Sequence, residues 1–167
     1  MEAKAINKKT YMLTDEGQQL GELHYKSLFS YNAEIKLTNA ETYEIKSVGF
    51  FKGSLSVRKN GSEIAKIKSN WKGQIVFTFP DGQDYIFKAK GVFSNKYTFE
   101  KKDGENLILI IPKFDWRKFN YRYNISFEHS HQDILHVLLC VFASNYMNTY
   151  MSSIILLTTT SGIIAGT

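Results

Sequence analysis

At 167 residues and 19.2 kDa the chain fits one domain and leaves little room for two. A 43% hydrophobic content excludes a disordered chain, a single cysteine excludes an intramolecular disulfide and a thiolate zinc cluster, and two prolines exclude a Pro-rich linker. The net charge of +5 is a modest basic excess that suits an anionic surface, lipid or nucleic acid, without choosing between them.

The N-terminal run Met1–Lys9 has lysines but no apolar block behind them, so an export signal is not expected and the cytosol is the expected compartment. Turn signals then recur. They are Thr14-Asp-Glu-Gly17, Thr38-Asn-Ala40, Lys59-Asn-Gly-Ser62, Pro80-Asp-Gly82 and Lys102-Asp-Gly104. Asn-Gly and Asp-Gly supply the positive φ angles that tight hairpins require.

Between these turns the hydrophobic period is two. Tyr31, Ala33, Ile35 and Leu37 alternate with polar residues, as do Tyr43 and Ile45, Leu55 and Val57, then Ile75, Phe77 and Phe79. Tyr85, Phe87 and Ala89 share one parity, and Phe119, Tyr121, Tyr123, Ile125 and Phe127 share another. Such alternation predicts antiparallel strands with one dry and one wet face. Leu107 to Ile111 is apolar on both parities, which predicts a strand covered on both sides. The 12 Phe, 10 Tyr and 2 Trp fit a β-rich fold. Roughly eleven or twelve strands are expected before residue 128, and that many one-sided strands should close into a barrel or a sandwich.

The end of the chain differs. Asp133 is the last charged residue, and Ile134 to Thr167 carry no charge. Asp133 is a suitable N-cap, and Ile134 to Ala143 is apolar on nearly every side, which predicts a helix buried on nearly every side over 133–151. A membrane span is the competing reading, since ~20 apolar residues suffice. It is disfavoured by His136, Ser144, Asn145 and Asn148 and by the lack of flanking cations. The uncharged tail 152–167 is expected to be partly buried, as further helix, strand or frayed end. Together these elements predict a mostly β fold: a closed antiparallel barrel of about twelve strands around a central hydrophobic C-terminal helix, all in one domain over 1–167. A barrel that wide cannot be filled by its own side chains, and the helix solves that packing problem.

The segments Tyr43-Glu-Ile-Lys46 with Gly49-Phe-Phe51, Ile64–Lys68 leading into Asn70-Trp-Lys-Gly73, Tyr85–Gly91 and the helix 134–150 resemble the tubby C-terminal-like superfamily. That superfamily includes the LURP-one-related and phospholipid-scramblase-like proteins, and the small bacterial members are the most similar. The resemblance implies a twelve-stranded barrel around a hydrophobic helix. It also implies phosphoinositide binding through surface cations, although no individual binding residue carries over onto this chain.

The densest interleaving of basic and aromatic residues is Lys113 to Tyr123. Lys113, Arg117, Lys118 and Arg122 are candidate phosphate contacts, with Trp116 at a membrane interface or stacked on a ligand. The competing reading is a solvated strand face. The parity slip between Trp116 and Phe119 predicts a bulge near Arg117. Trp71 is expected to fill the core or cap a barrel mouth. His129 and His131 share a strand face but lack the further ligands a metal site needs. His136 and Cys140 are i, i+4 on the helix, where a buried thiol is usually inert packing. No phosphate-binding loop or nucleophile motif is present, and neither cofactor nor metal is expected. The leading expectation is therefore a non-enzymatic module binding anionic phospholipid or a membrane surface. The alternatives are a small-molecule carrier or enzyme with a pocket at the barrel mouth, and a C-terminally anchored membrane protein.

Overall fold

The computed structural model describes every residue except 28–29, 49–53, 92–94, 118, 129–132 and 165–167, and the backbone alone over 150–164. Twelve strands follow one another: β1 (Glu2–Ala5), β2 (Thr10–Asp15), β3 (Gln18–Tyr25), β4 (Ala33–Leu37), β5 (Thr42–Ser47) and β6 (Ser54–Lys59). They continue as β7 (Ser62–Ser69), β8 (Ile75–Thr78), β9 (Asp84–Ala89), β10 (Tyr97–Lys101), β11 (Asn106–Asp115) and β12 (Asn120–Phe127). Each pairs antiparallel with the next, and β12 pairs with β1, so the sheet closes into a barrel with no free edge.

This connectivity gives the barrel two unlike ends. All five turns anticipated from the sequence lie at one end, the closed end. The turn between β6 and β7 places Asn60 at φ 52° and Gly61 at φ 80°, the left-handed pair a two-residue hairpin needs. The connections at the other end, the open end, are mostly longer.

The helix α1 (Ile134–Ile164) enters from the closed end. Asp133 caps it: its Oδ1 accepts the backbone N–H groups of Leu135 at 2.9 Å and His136 at 3.3 Å. Val137 to Ser144 are buried inside the barrel against inward residues such as Leu13, Leu23, Ile35 and Phe77. Each large apolar side chain so buried contributes about 1.5–3 kcal/mol, and a charge in this segment would forfeit that without a partner. The absence of charge after Asp133 thus has a packing cause. Among the described residues no helix is long and apolar enough to cross a membrane.

Three expectations need correction. Burial of the helix does not reach residue 151, because Asn145 to Asn148 are only half-buried and Thr149 is exposed. The helix itself continues to Ile164, and the expected burial of 152–167 lies outside the described side chains. Leu107 to Ile111 is not covered on both sides. A register shift between Phe99 and Glu100 turns both Leu107 and Ile108 inward, leaving Leu109 and Ile111 half-buried on the outer wall. Finally, Phe119 does not share a face with Tyr121 and Tyr123. It sits at φ 48° in the turn between β11 and β12 and is exposed, so the parity slip marks a hairpin turn and not a bulge near Arg117.

Candidate functional site at the open end of the barrel

The open end is formed by the connections 6–9, 26–32, 48–53, 70–74, 90–96 and 116–119. Side-chain carboxylates and amides shape several of them. Asn7 Oδ1 accepts the Lys9 N–H at 2.8 Å, Asn70 Oδ1 accepts those of Lys72 and Gln74 at 3.0 Å, and Asp115 Oδ1 accepts that of Arg117 at 3.0 Å. With the tips fixed this way, the residues they present can be compared.

Among the described residues, every exposed large hydrophobic side chain belongs to this end. They are Ile6, Val48, Trp71, Phe114, Trp116 and Phe119, with Trp71 90%, Phe119 80% and Trp116 75% exposed. The ring of Phe114 meets that of Trp116 edge-on at 4.7 Å, so the tip of the β11–β12 hairpin is an aromatic cluster facing water. The described residues of the same connections carry Lys8, Lys9, Lys72, Lys96 and Arg117 and no Asp or Glu. Lys26 and Lys90 are also present, but they reach Glu44 at 3.3 Å and Glu128 at 3.8 Å. At the closed end Asp15, Glu16, Asp81, Asp103 and Asp133 gather instead. The barrel is therefore electrically polarised along its axis.

On the outer wall just below the open rim, Lys4, Arg122 and Lys113 stand in one row across β1, β12 and β11. Like charges directly opposite one another in a sheet are destabilising. Glu2 offsets part of this by pairing with Arg122 at 3.3 Å.

Inside the rim lies a cavity of about 650 Å³, open to solvent, between the emerging end of α1 and strands β2, β3, β11 and β12. Its walls include Tyr11, Tyr25, Tyr31, Phe114, Tyr121 and Tyr146. Tyr31 and Tyr146 approach to 4.5 Å between ring centres. Asn145 lies at its floor. Its Nδ2 donates to the Tyr25 hydroxyl at 3.0 Å, and its Oδ1 accepts from Tyr123. Tyr11 donates to Asn120. Burial pushes the Tyr11 hydroxyl up to about 12 and raises Tyr25 and Tyr123 as well, so these groups stay uncharged.

The sequence-predicted residues divide as follows. Lys113 and Arg122 are cross-strand neighbours on the wall, while Trp116 and Arg117 lie in the turn above them. Lys118 lies outside the described residues, as do His129 and His131. Trp71 neither fills the core nor packs over the mouth. It stands in solvent with the Lys72 ammonium 5.4 Å from its ring centre. Cys140 is fully buried and burial pushes its thiol up, which leaves it unreactive beside His136. Lys4, Lys8 and Lys96 are additions. Lys8 and Lys96 are far apart in sequence, and the signal available for them was the lack of acidic residues in every second connection, whereas Lys4 is placed beside Arg122 only by the pairing of β1 with β12.

Among family models, curated proteins and solved structures, none matches this chain.

Proposed function

We propose that the open end of the barrel docks on an anionic membrane surface, and that the protein is a non-enzymatic peripheral binding module. One observation carries this: among the described residues, the exposed large hydrophobic side chains share one end with Lys8, Lys72, Lys96 and Arg117, and the connections of that end hold no carboxylate beyond Asp115 at the foot of the 116–119 turn. Trp and Phe tips suit the interfacial zone of a bilayer, and each Lys or Arg held near an anionic leaflet contributes about 1 kcal/mol. The wall row of Lys4, Arg122 and Lys113 adds a second tier of charge. Helix α1 emerges at this same end and carries no charged residue beyond it.

Reading the chain as a tubby-like barrel belongs to the same proposal. What supports it is the twelve-strand meander threaded by an apolar C-terminal helix. Fold likeness alone would not supply a ligand, so the docking proposal rests on the rim residues.

The test is flotation with vesicles of phosphatidylcholine alone or mixed with phosphatidylserine, over a salt series. Binding to the anionic vesicles that weakens as salt rises is expected, since exposed charges are screened within ~8 Å at physiological ionic strength. Equal recovery with both vesicle types would remove the proposal.

A further inference from the structure

The open-end cavity has a chemistry of its own, separate from the rim around it. About 650 Å³ falls within the ~300–1,000 Å³ range of small-molecule sites. Its walls are mainly aromatic rings with serine, threonine and asparagine side chains between them, and much of the tyrosine polar capacity is already used. Tyr11 is paired with Asn120, and Tyr25 and Tyr123 with Asn145. A ligand rich in hydroxyls or amides would have to displace these pairs, whereas an apolar chain laid over the rings leaves them intact. The described lining contains no carboxylate and one cation, Lys8. Lys8 is exposed at the rim, in the connection between β1 and β2. The site is thus an aromatic cup, edged by neutral hydroxyl and amide side chains, with a single positive group at its lip.

We propose that this cavity binds a single-chain monoanionic amphiphile, of which a fatty acid is the simplest, with its tail against Tyr25, Tyr31 and Tyr146 and its head group beside Lys8. This goes beyond surface docking, because it names a site for one extracted molecule and does not need a bilayer. Hydrocarbon binding is favoured by the ring surface it covers. The sign of the head group is set by Lys8 and by the absence of an acid that would welcome an amine. Two sources of the ligand share this chemistry: a free carboxylate in solution, and one partitioned into a membrane.

The experiment titrates the full chain with dansyl-undecanoic acid and follows its emission. Saturable one-to-one binding is expected, competed by laurate and at least tenfold less well by dodecyltrimethylammonium. Lys8→Glu, a surface-loop change, should weaken laurate competition about three- to tenfold and leave competition by dodecanol unaltered. Thr149→Trp, which places a bulky ring in the cavity wall, should weaken binding of the labelled acid at least tenfold with an unchanged melting temperature. If Thr149→Trp perturbs folding, Lys8→Glu decides. Transfer of the labelled acid from neutral phosphatidylcholine vesicles, compared with uptake from buffer, distinguishes the two sources. No saturable binding, or equal competition by the cationic amphiphile, would overturn the assignment. The double variant Trp71→Ala with Lys72→Ala lies outside the cavity and should keep full affinity for the labelled acid. If the wild type fails to float with anionic vesicles while still binding the acid, only the docking proposal falls.

Discussion

Gly21 on β3 and Leu138 on α1 are fitted to each other: a β-carbon built on Gly21 would lie 3.1 Å from Leu138 Cδ1 and 2.8 Å from the backbone oxygen of Lys36. The missing side chain lets β3 approach the helix and β4 together. Glycine inside a strand often marks such close approach. Its φ is not the issue here; the space is. Gly21→Ala should therefore destabilise the fold by about 1–3 kcal/mol, because a backbone carbonyl cannot swing aside as a flexible side chain would. Chemical denaturation with an unchanged m-value would measure it, and a neutral result would mean that the strand can retreat from the helix.

Leu138→Asp tests the helix as the filling of the barrel. Leu138 is fully buried with no cation near it on α1. An uncompensated carboxylate there costs several kcal/mol, against a total stability of about 5–15 kcal/mol for a domain. Loss of the folded circular-dichroism spectrum is expected. Leu138→Ala should retain the fold at a cost of about 2–5 kcal/mol.

Alkaline pH should unfold the protein through its tyrosines. The Tyr11 hydroxyl ionises near 10 in an unfolded chain and at about 12 in the fold, because burial disfavours the phenolate. A value raised by folding contributes stability that is complete below pH ~10 and is lost as pH climbs through about 12. Tyr25 and Tyr123 shift in the same direction for the same reason. Melting temperature should fall from pH 10 upward, and Tyr11→Phe should make that fall shallower. A flat profile to pH 11.5 would contradict the burial of these hydroxyls.

Charge reversal at the rim should separate the two ends of the barrel. Lys72→Glu and Arg117→Glu should each weaken anionic-vesicle binding roughly fivefold or more at low salt, given about 1 kcal/mol per cation. Ser62→Glu, at the closed end, should leave binding unchanged. Equal losses from both ends would point to net charge and not to an oriented surface.

Much of the scaffold was legible in the primary structure. Asn60-Gly61 announces its hairpin because the backbone angles it favours are those the turn needs, and that decision is local. Tyr43 and Ile45 announce an inward face because alternation is a property of any strand with one dry side. Asp133 followed by an uncharged run announces a capped, buried helix. The corrections arise where two strands must agree. Whether Leu107 faces inward depends on the register of β10 against β11, which no single strand encodes. Whether Phe119 continues β12 or turns away depends on where the hairpin closes.

The candidate site was legible only in part. Trp116 and Arg117 stood out because they sit within one dense basic and aromatic stretch. Trp71, Lys8 and Lys96 are separated by tens of residues and carry no local pattern, so each read alone looks like ordinary loop composition.

The sequence by itself determined the strand periodicity, the closing turns and the apolar helix, because each follows from interactions among residues a few positions apart. Only the tertiary structure decided that alternate connections gather at one barrel end, since closure of β12 on β1 is what turns scattered loops into a common rim. The cavity has the same origin: it exists because α1 becomes amphiphilic at Asn145 while the barrel wall continues past it, and no segment of the chain contains that mismatch on its own.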